Sequence, residues 1–124
     1  MNSSFHLGLL HLIHLLIQAD GVVDAREKEA VNKLLKRENV SDDLLQEFNR
    51  QVAAKKERDL FQEGIRLLNT CTDEEKMSGI IYLYKISEAD NHVHIKEVRL
   101  LLYSVKLADV EFNDVMRMAD QLNF

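Results

Sequence analysis

Two short stretches carry acids at one shared spacing. Residues 19–27 read ADGVVDARE and residues 89–97 read ADNHVHIKE, so Asp20 and Glu27 repeat as Asp90 and Glu97. Asp24 lies inside the first pair, where His94 lies inside the second. Hard divalent cations take several oxygen ligands at about 2.0–2.6 Å, and carboxylates gathered at a turn supply them together with carbonyls and water. Asp20, Asp24, Glu27, Asp90 and Glu97 are therefore the candidate metal ligands, for calcium, magnesium or manganese. The spacing is not that of an EF-hand, which needs an alternating oxygen series and a Glu at its twelfth position. A plainer use fits the same residues. Asp24 as N-cap with Glu27 three residues on is a capping box with Asp in place of Ser or Thr, and a Glu in the first turn meets the helix dipole favourably. Both readings stay open.

Other reactive side chains point to packing. His11 and His14 are three apart and His92 and His94 two apart, whereas zinc needs three or four converging ligands. A histidine within an apolar helix is expected to be a hydrogen-bonded core residue. Cys71 precedes a capped helix and is expected to act as a small apolar residue. Tyr82 and Tyr84 are expected in packing rather than on a stacking platform. There is no phosphate-binding glycine loop, no Ser nucleophile elbow and no redox Cys pair. No catalytic residue and no cofactor are assigned, and the expectation is a protein that is not an enzyme.

The elements that would position these residues are all helical. Ser3 or Ser4 caps a first helix ending near Ala19, apolar almost all round and so central. Gly21 breaks it, and Asp24 opens a second with Val31, Leu34 and Leu35 inward. Ser41 caps a third carrying Leu44, Leu45, Phe48 and Val52. The charged run 55–59 is a bend or a solvated surface. A fourth helix carries Leu60, Phe61, Ile65 and Leu68. Thr72 with Glu75 is a second capping box, opening a fifth helix to about Ala89. A sixth runs from about Ile95 to Leu107, with Val98, Leu101, Leu102 and Val105 inward. Asp109 caps a seventh, with Phe112, Val115, Ala119 and Leu122 on one face. No segment alternates as a strand would.

Bulk properties agree. The chain has 124 residues, no proline and four glycines, a composition suited to long helices. Hydrophobic residues make up 46% and charged residues 30%, as in a globular domain able to bury a core. No linker divides it, so one domain over residues 1–124 is expected. The net charge of −5 argues against nucleic acid as a partner. The run LGLLHLIHLLI is too short to span a bilayer, and no Lys or Arg precedes Arg26 as a signal peptide would require; no membrane partner is expected. The lone Cys71 suits a reducing compartment, hence a cytoplasmic location.

A shift of 70 residues aligns more than the acids. Leu10, Ile13 and Leu16 meet Ile80, Leu83 and Ile86; Gly21 meets Asn91; Val23 meets Val93; Arg26 meets Lys96; Val31 and Leu35 meet Leu101 and Val105. A helical hairpin is used twice. The corner Ala-Asp-Gly-x-Val-x-x-x-Glu at 19–27, repeated at 89–97 with Asn91 for the glycine, resembles the TerB-like family, named for a tellurite-resistance protein and seen also in the membrane-proximal domain of DjlA-type co-chaperones. That resemblance implies an all-α bundle of about seven helices with two pseudo-symmetric hairpin lobes, acidic corners, and a role in metal or stress responses. The expected function is a helical module that binds a divalent cation or a protein partner in a tellurite-resistance-type response. The alternative is a pure interaction or oligomerisation module, a homodimer included, whose acids only cap helices.

Overall fold

The computed structural model describes residues 3–18, 25–88, 102–107 and 110–122. Six helices lie in them: α1 (Ser3–Gln18), α2 (Ala25–Glu38), α3 (Asp42–Ala54), α4 (Glu57–Asn69), α5 (Asp73–Glu88) and α6 (Phe112–Gln121). A helical turn covers residues 102–104, and no strand occurs among the described residues. The protein is an all-α bundle.

Local chemistry sets most of the boundaries. Ser41 holds an extended backbone and its hydroxyl accepts from the Leu44 amide at 3.2 Å, opening α3. Before α5, the Thr72 hydroxyl accepts from the Glu75 amide (3.1 Å) while Glu75 Oε1 accepts from the Thr72 amide (3.0 Å), a capping box closed in both directions. Two helix ends are turned off by left-handed residues. Asn39 has φ 53°, with Asn39 N–H donating to the Lys36 carbonyl and Val40 N–H to that of Leu35. Lys106 has φ 63°, with the same bond pair to Tyr103 and Leu102. Both are Schellman turns, one on Asn, which tolerates this conformation, the other on Lys, which does not favour it. The sixth expected helix therefore stops at 104 rather than Leu107. The last helix starts at Phe112 with Glu111 at its N-cap and no side-chain cap bond, later than the start expected from Asp109, which lies outside the described residues.

Two helices share the centre. Phe5, Leu9, Leu12, Ile13 and Leu16 of α1 join Ile80, Leu83 and Ile86 of α5 in one hydrophobic cluster, with Leu34, Leu68, Leu102, Val105, Val115 and Ala119 around them. Leu10 is buried but lies outside that cluster. α1 packs most extensively on α4, and the contact is close because two glycines meet there. A Cβ on Gly8 would stand 3.2 Å from the Gly64 carbonyl oxygen, and one on Gly64 would stand 3.0 Å from His11 Cβ. α5 buries Lys76, Tyr82, Tyr84 and Ser87 as well as its apolar residues. Ser87 Oγ donates to the Tyr84 carbonyl at 2.8 Å, and Lys85 Nζ donates to the Ala119 carbonyl at 3.1 Å, near the negative end of α6.

Candidate functional site

Neither acidic corner falls within the described residues. Asp20, Asp24, Asp90 and Glu97 lie outside them, as do Gly21, Asn91, His92 and His94. Glu27 belongs to the first turn of α2, as its cap reading requires, but its side chain is outside the description. Among the described residues no group of three His, Cys, Asp or Glu side chains gathers to hold a metal ion.

The described histidines work inside the fold. His11 is fully buried; its Nδ1 donates to the Leu7 carbonyl at 2.7 Å, and its Nε2 stands 3.1 Å from Gln51 Oε1. The Phe48 ring meets it edge-on, with centroids 5.1 Å apart. His14 touches the same ring at 5.9 Å, and burial lowers its pKa against the opposing pull of Glu57. His6 Nε2 donates to Glu38 Oε1 at 3.3 Å, while Tyr82 Oη donates to Glu38 Oε2 at 2.6 Å. That carboxylate, 9% exposed, ties α1, α2 and α5 together. Burial and then the Glu75 carboxylate raise the Cys71 pKa, and its Sγ donates to the Leu67 carbonyl. A thiol held neutral in this way is a poor nucleophile.

A different surface has the shape of a binding site. α4 and the 102–106 turn enclose an open groove of about 670 Å³, lined by Phe61, Gln62, Ile65, Arg66, Tyr103, Ser104 and Lys106. Its floor, Phe61 and Ile65, rests on the main core. Tyr103 stands at its wall with 71% of its surface exposed, the most exposed large apolar side chain among the described residues. Asn69 Nδ2 donates to the Ser104 carbonyl at 3.4 Å and fixes the turn against α4. Residue pattern alone misses this groove: Tyr103 falls off the inward face of Leu101, Leu102 and Val105, and nothing in the pattern says that this stretch lies beside Phe61 and Ile65 of α4.

The helix order, the doubled corner and the packing now stand beside one comparison. The family described as "Tellurite resistance protein TerB" matches residues 6–122. The chain belongs to the TerB family. A search of curated proteins and a search of solved structures each found no match. The TerB match spans both corner sequences, 19–27 and 89–97, and all the residues that line the groove. No helix among the described residues of this TerB chain is long and apolar enough to cross a membrane.

Proposed function

We propose that this TerB chain is a non-enzymatic interaction module of a cytoplasmic, tellurite-resistance-type stress response, and that it acts by docking a protein partner. The groove beside Tyr103 carries the reading. Folded monomers seldom leave a large aromatic side chain standing free beside an apolar trough, and aromatic residues in such places anchor interfaces. Side chains that could run chemistry support it from the other side, because His6, His11 and Cys71 each hold a helix contact. The test is a photo-reactive amino acid at Gln62, in the groove, and at Gln46, exposed on α3, in cells with and without tellurite stress. A discrete adduct at position 62 and none at 46 is expected. Equal labelling, or none, would refute the docking reading. An adduct of two 14.4-kDa chains would make the partner a second copy.

The second reading is a divalent cation at the corners, favoured by the repetition of Asp and Glu at Asp20, Glu27, Asp90 and Glu97, with Asp24 beside them. Calcium and manganese titrated by calorimetry into the wild type and the double variant Glu27→Gln, Glu97→Gln separate it from capping. Gln closes the same box, so a heat present in the wild type and lost in the variant supports the cation. Equal heats, or no heat in either, leave the carboxylates as braces.

A further inference from the structure

We infer that α3 is latched to the bundle by a proton: it stays docked on α1 while His11 carries both ring protons, and it loosens when His11 gives one up. This switch does not depend on the groove or on what the groove binds.

Two observations single out α3. Phe48 is its one buried residue, and the helix packs on α1 while making little contact with any other helix among the described residues. Elements with so few buried contacts are the first to open. The contact is also polar at its centre. The Phe48 ring meets the rings of His11 and His14, with centroids 5.1 and 5.9 Å apart, and Gln51 meets His11 Nε2.

Hydrogen-bond polarity sets the proton count. Arg50 pairs with Glu47 Oε2, which keeps that carboxylate ionised and accepting. Glu47 Oε1 accepts from Gln51 Nε2 at 3.2 Å, so the Gln51 amide turns its oxygen to His11. That oxygen stands 3.1 Å from Nε2, and the Leu7 carbonyl oxygen stands 2.7 Å from Nδ1. Both ring nitrogens therefore face oxygens that only accept, and the ring satisfies both only as the imidazolium. A neutral ring sets a lone pair against an oxygen at a fully buried position, or forces Gln51 to turn over and set oxygen against oxygen at Glu47. With α3 released, water takes the place of Gln51 and serves either form of the ring. Docking takes up a proton, so the latch is present on the acid side and is lost as pH rises.

The charges around His11 come from each element packed there. Glu47 of α3 lies beyond Gln51, and Glu63 of α4 is close enough for a charge on His11 to act on it. Two cations oppose them: Lys55, between α3 and α4, acts on the same Glu63, and Arg50 lies on the far side of Glu47. His14 is the competitor on α1. Burial lowers its pKa, Glu57 pulls the other way, and a charge on His11 lowers it again. Neighbouring imidazoles resist a second charge, so the pair holds one proton, and His11 is the ring that offers it two acceptors.

Amide hydrogen exchange tests this, read on α3 relative to α5 between about pH 8 and about pH 6, with the ring nitrogens of His11 followed by NMR over the same span. Protection of α3 should rise about tenfold as pH falls across the span, and His11 should change protonation where α3 responds. Glu47→Gln is the decisive variant. Glu47 is part-exposed, and a Gln there either gives or accepts a bond, so Gln51 becomes free to turn its amide to a neutral ring. The pH response of α3 should vanish in Glu47→Gln and survive in His14→Gln. A level response in the wild type, or protection that falls as pH falls, would overturn the inference. So would an equal response in Glu47→Gln, a His11 titration outside the span in which α3 responds, or loss of the response in His14→Gln, which would move the proton to His14.

Discussion

Two buried tyrosines define how single residues answer to pH. Tyr84 is 5% exposed and its pKa is raised to about 12, first by burial and then by the Glu88 carboxylate. Tyr82 is raised too, by burial and then by its bond to Glu38. A raised phenol means that the fold favours the neutral form. Its contribution is fully present below the unfolded value of about 10 and is lost as pH climbs through the folded one. Urea midpoints should therefore hold steady through mildly alkaline pH and fall above about pH 10, with a shallower fall in Tyr84→Phe. His14 acts at the other end. Its lowered pKa favours the neutral ring, so its contribution stands above the unfolded value and is lost as pH falls into the acid range. Tyr82→Phe removes the 2.6 Å bond to a carboxylate that is 9% exposed and weakens the tie that the same carboxylate makes with His6. A loss of about 1–3 kcal/mol is expected by chemical denaturation at neutral pH. The buried His11 follows from its place in an apolar helix; the Glu38 tie does not, because nothing local marks the last residue of a charged helix as buried.

Helices meet in ways that residue types announce unevenly. The box at Thr72 and Glu75 and the cap at Ser41 are visible as short patterns, since capping is chemistry between residues three apart. Thr72→Ala should cost about 1 kcal/mol, while Glu75→Gln should be nearly silent in the same melts. That pair also calibrates Glu27→Gln at the corner. The Gly8–Gly64 approach is invisible beforehand, because a glycine within a helical pattern reads only as a weakness. Ala at 64 gains up to about 1 kcal/mol of helix propensity. Its Cβ would meet His11 Cβ at 3.0 Å and Leu12 Cδ2 at 3.1 Å, and α1 would have to move from α4. Overpacking of this kind costs about 1–3 kcal/mol, so Gly64→Ala should lower the melting temperature despite the better helix former. A higher melting temperature would show that the two helices have room to separate. The Lys106 turn is likewise unannounced: Lys carries no turn signal, and the apolar spacing through Val105 and Leu107 continues past it.

Across the whole molecule the sequence repeat and the core agree in part: Leu10 and Leu35 lie outside the central cluster that holds their partners Ile80 and Val105. Ile13 and Leu16 of α1, and their repeat partners Leu83 and Ile86 of α5, all lie in the central cluster. The long apolar run of α1 makes its burial readable in advance. The equal centrality of α5 is hidden by Lys76, Tyr82, Tyr84 and Ser87, whose polar atoms are satisfied or reach outward once packed. A groove is harder still to foresee, being the product of two segments far apart in the chain. Leu83→Ala should cost about 2–5 kcal/mol, as full burial in that cluster implies. Tyr103→Ala should stay within about 0.5 kcal/mol of the wild type, as its exposure implies.

That contrast turns the central claim, that the fold is held by α1 and α5 and the function by the groove, into one measurement. A photo-reactive residue at Gln62 is placed in the wild-type chain and in Tyr103→Ala, and the partner adduct and the urea midpoint are read from the same preparations. The account predicts an adduct in the wild type, its loss in Tyr103→Ala, and coincident midpoints. An adduct of equal yield in both chains, with the variant folded, would contradict it.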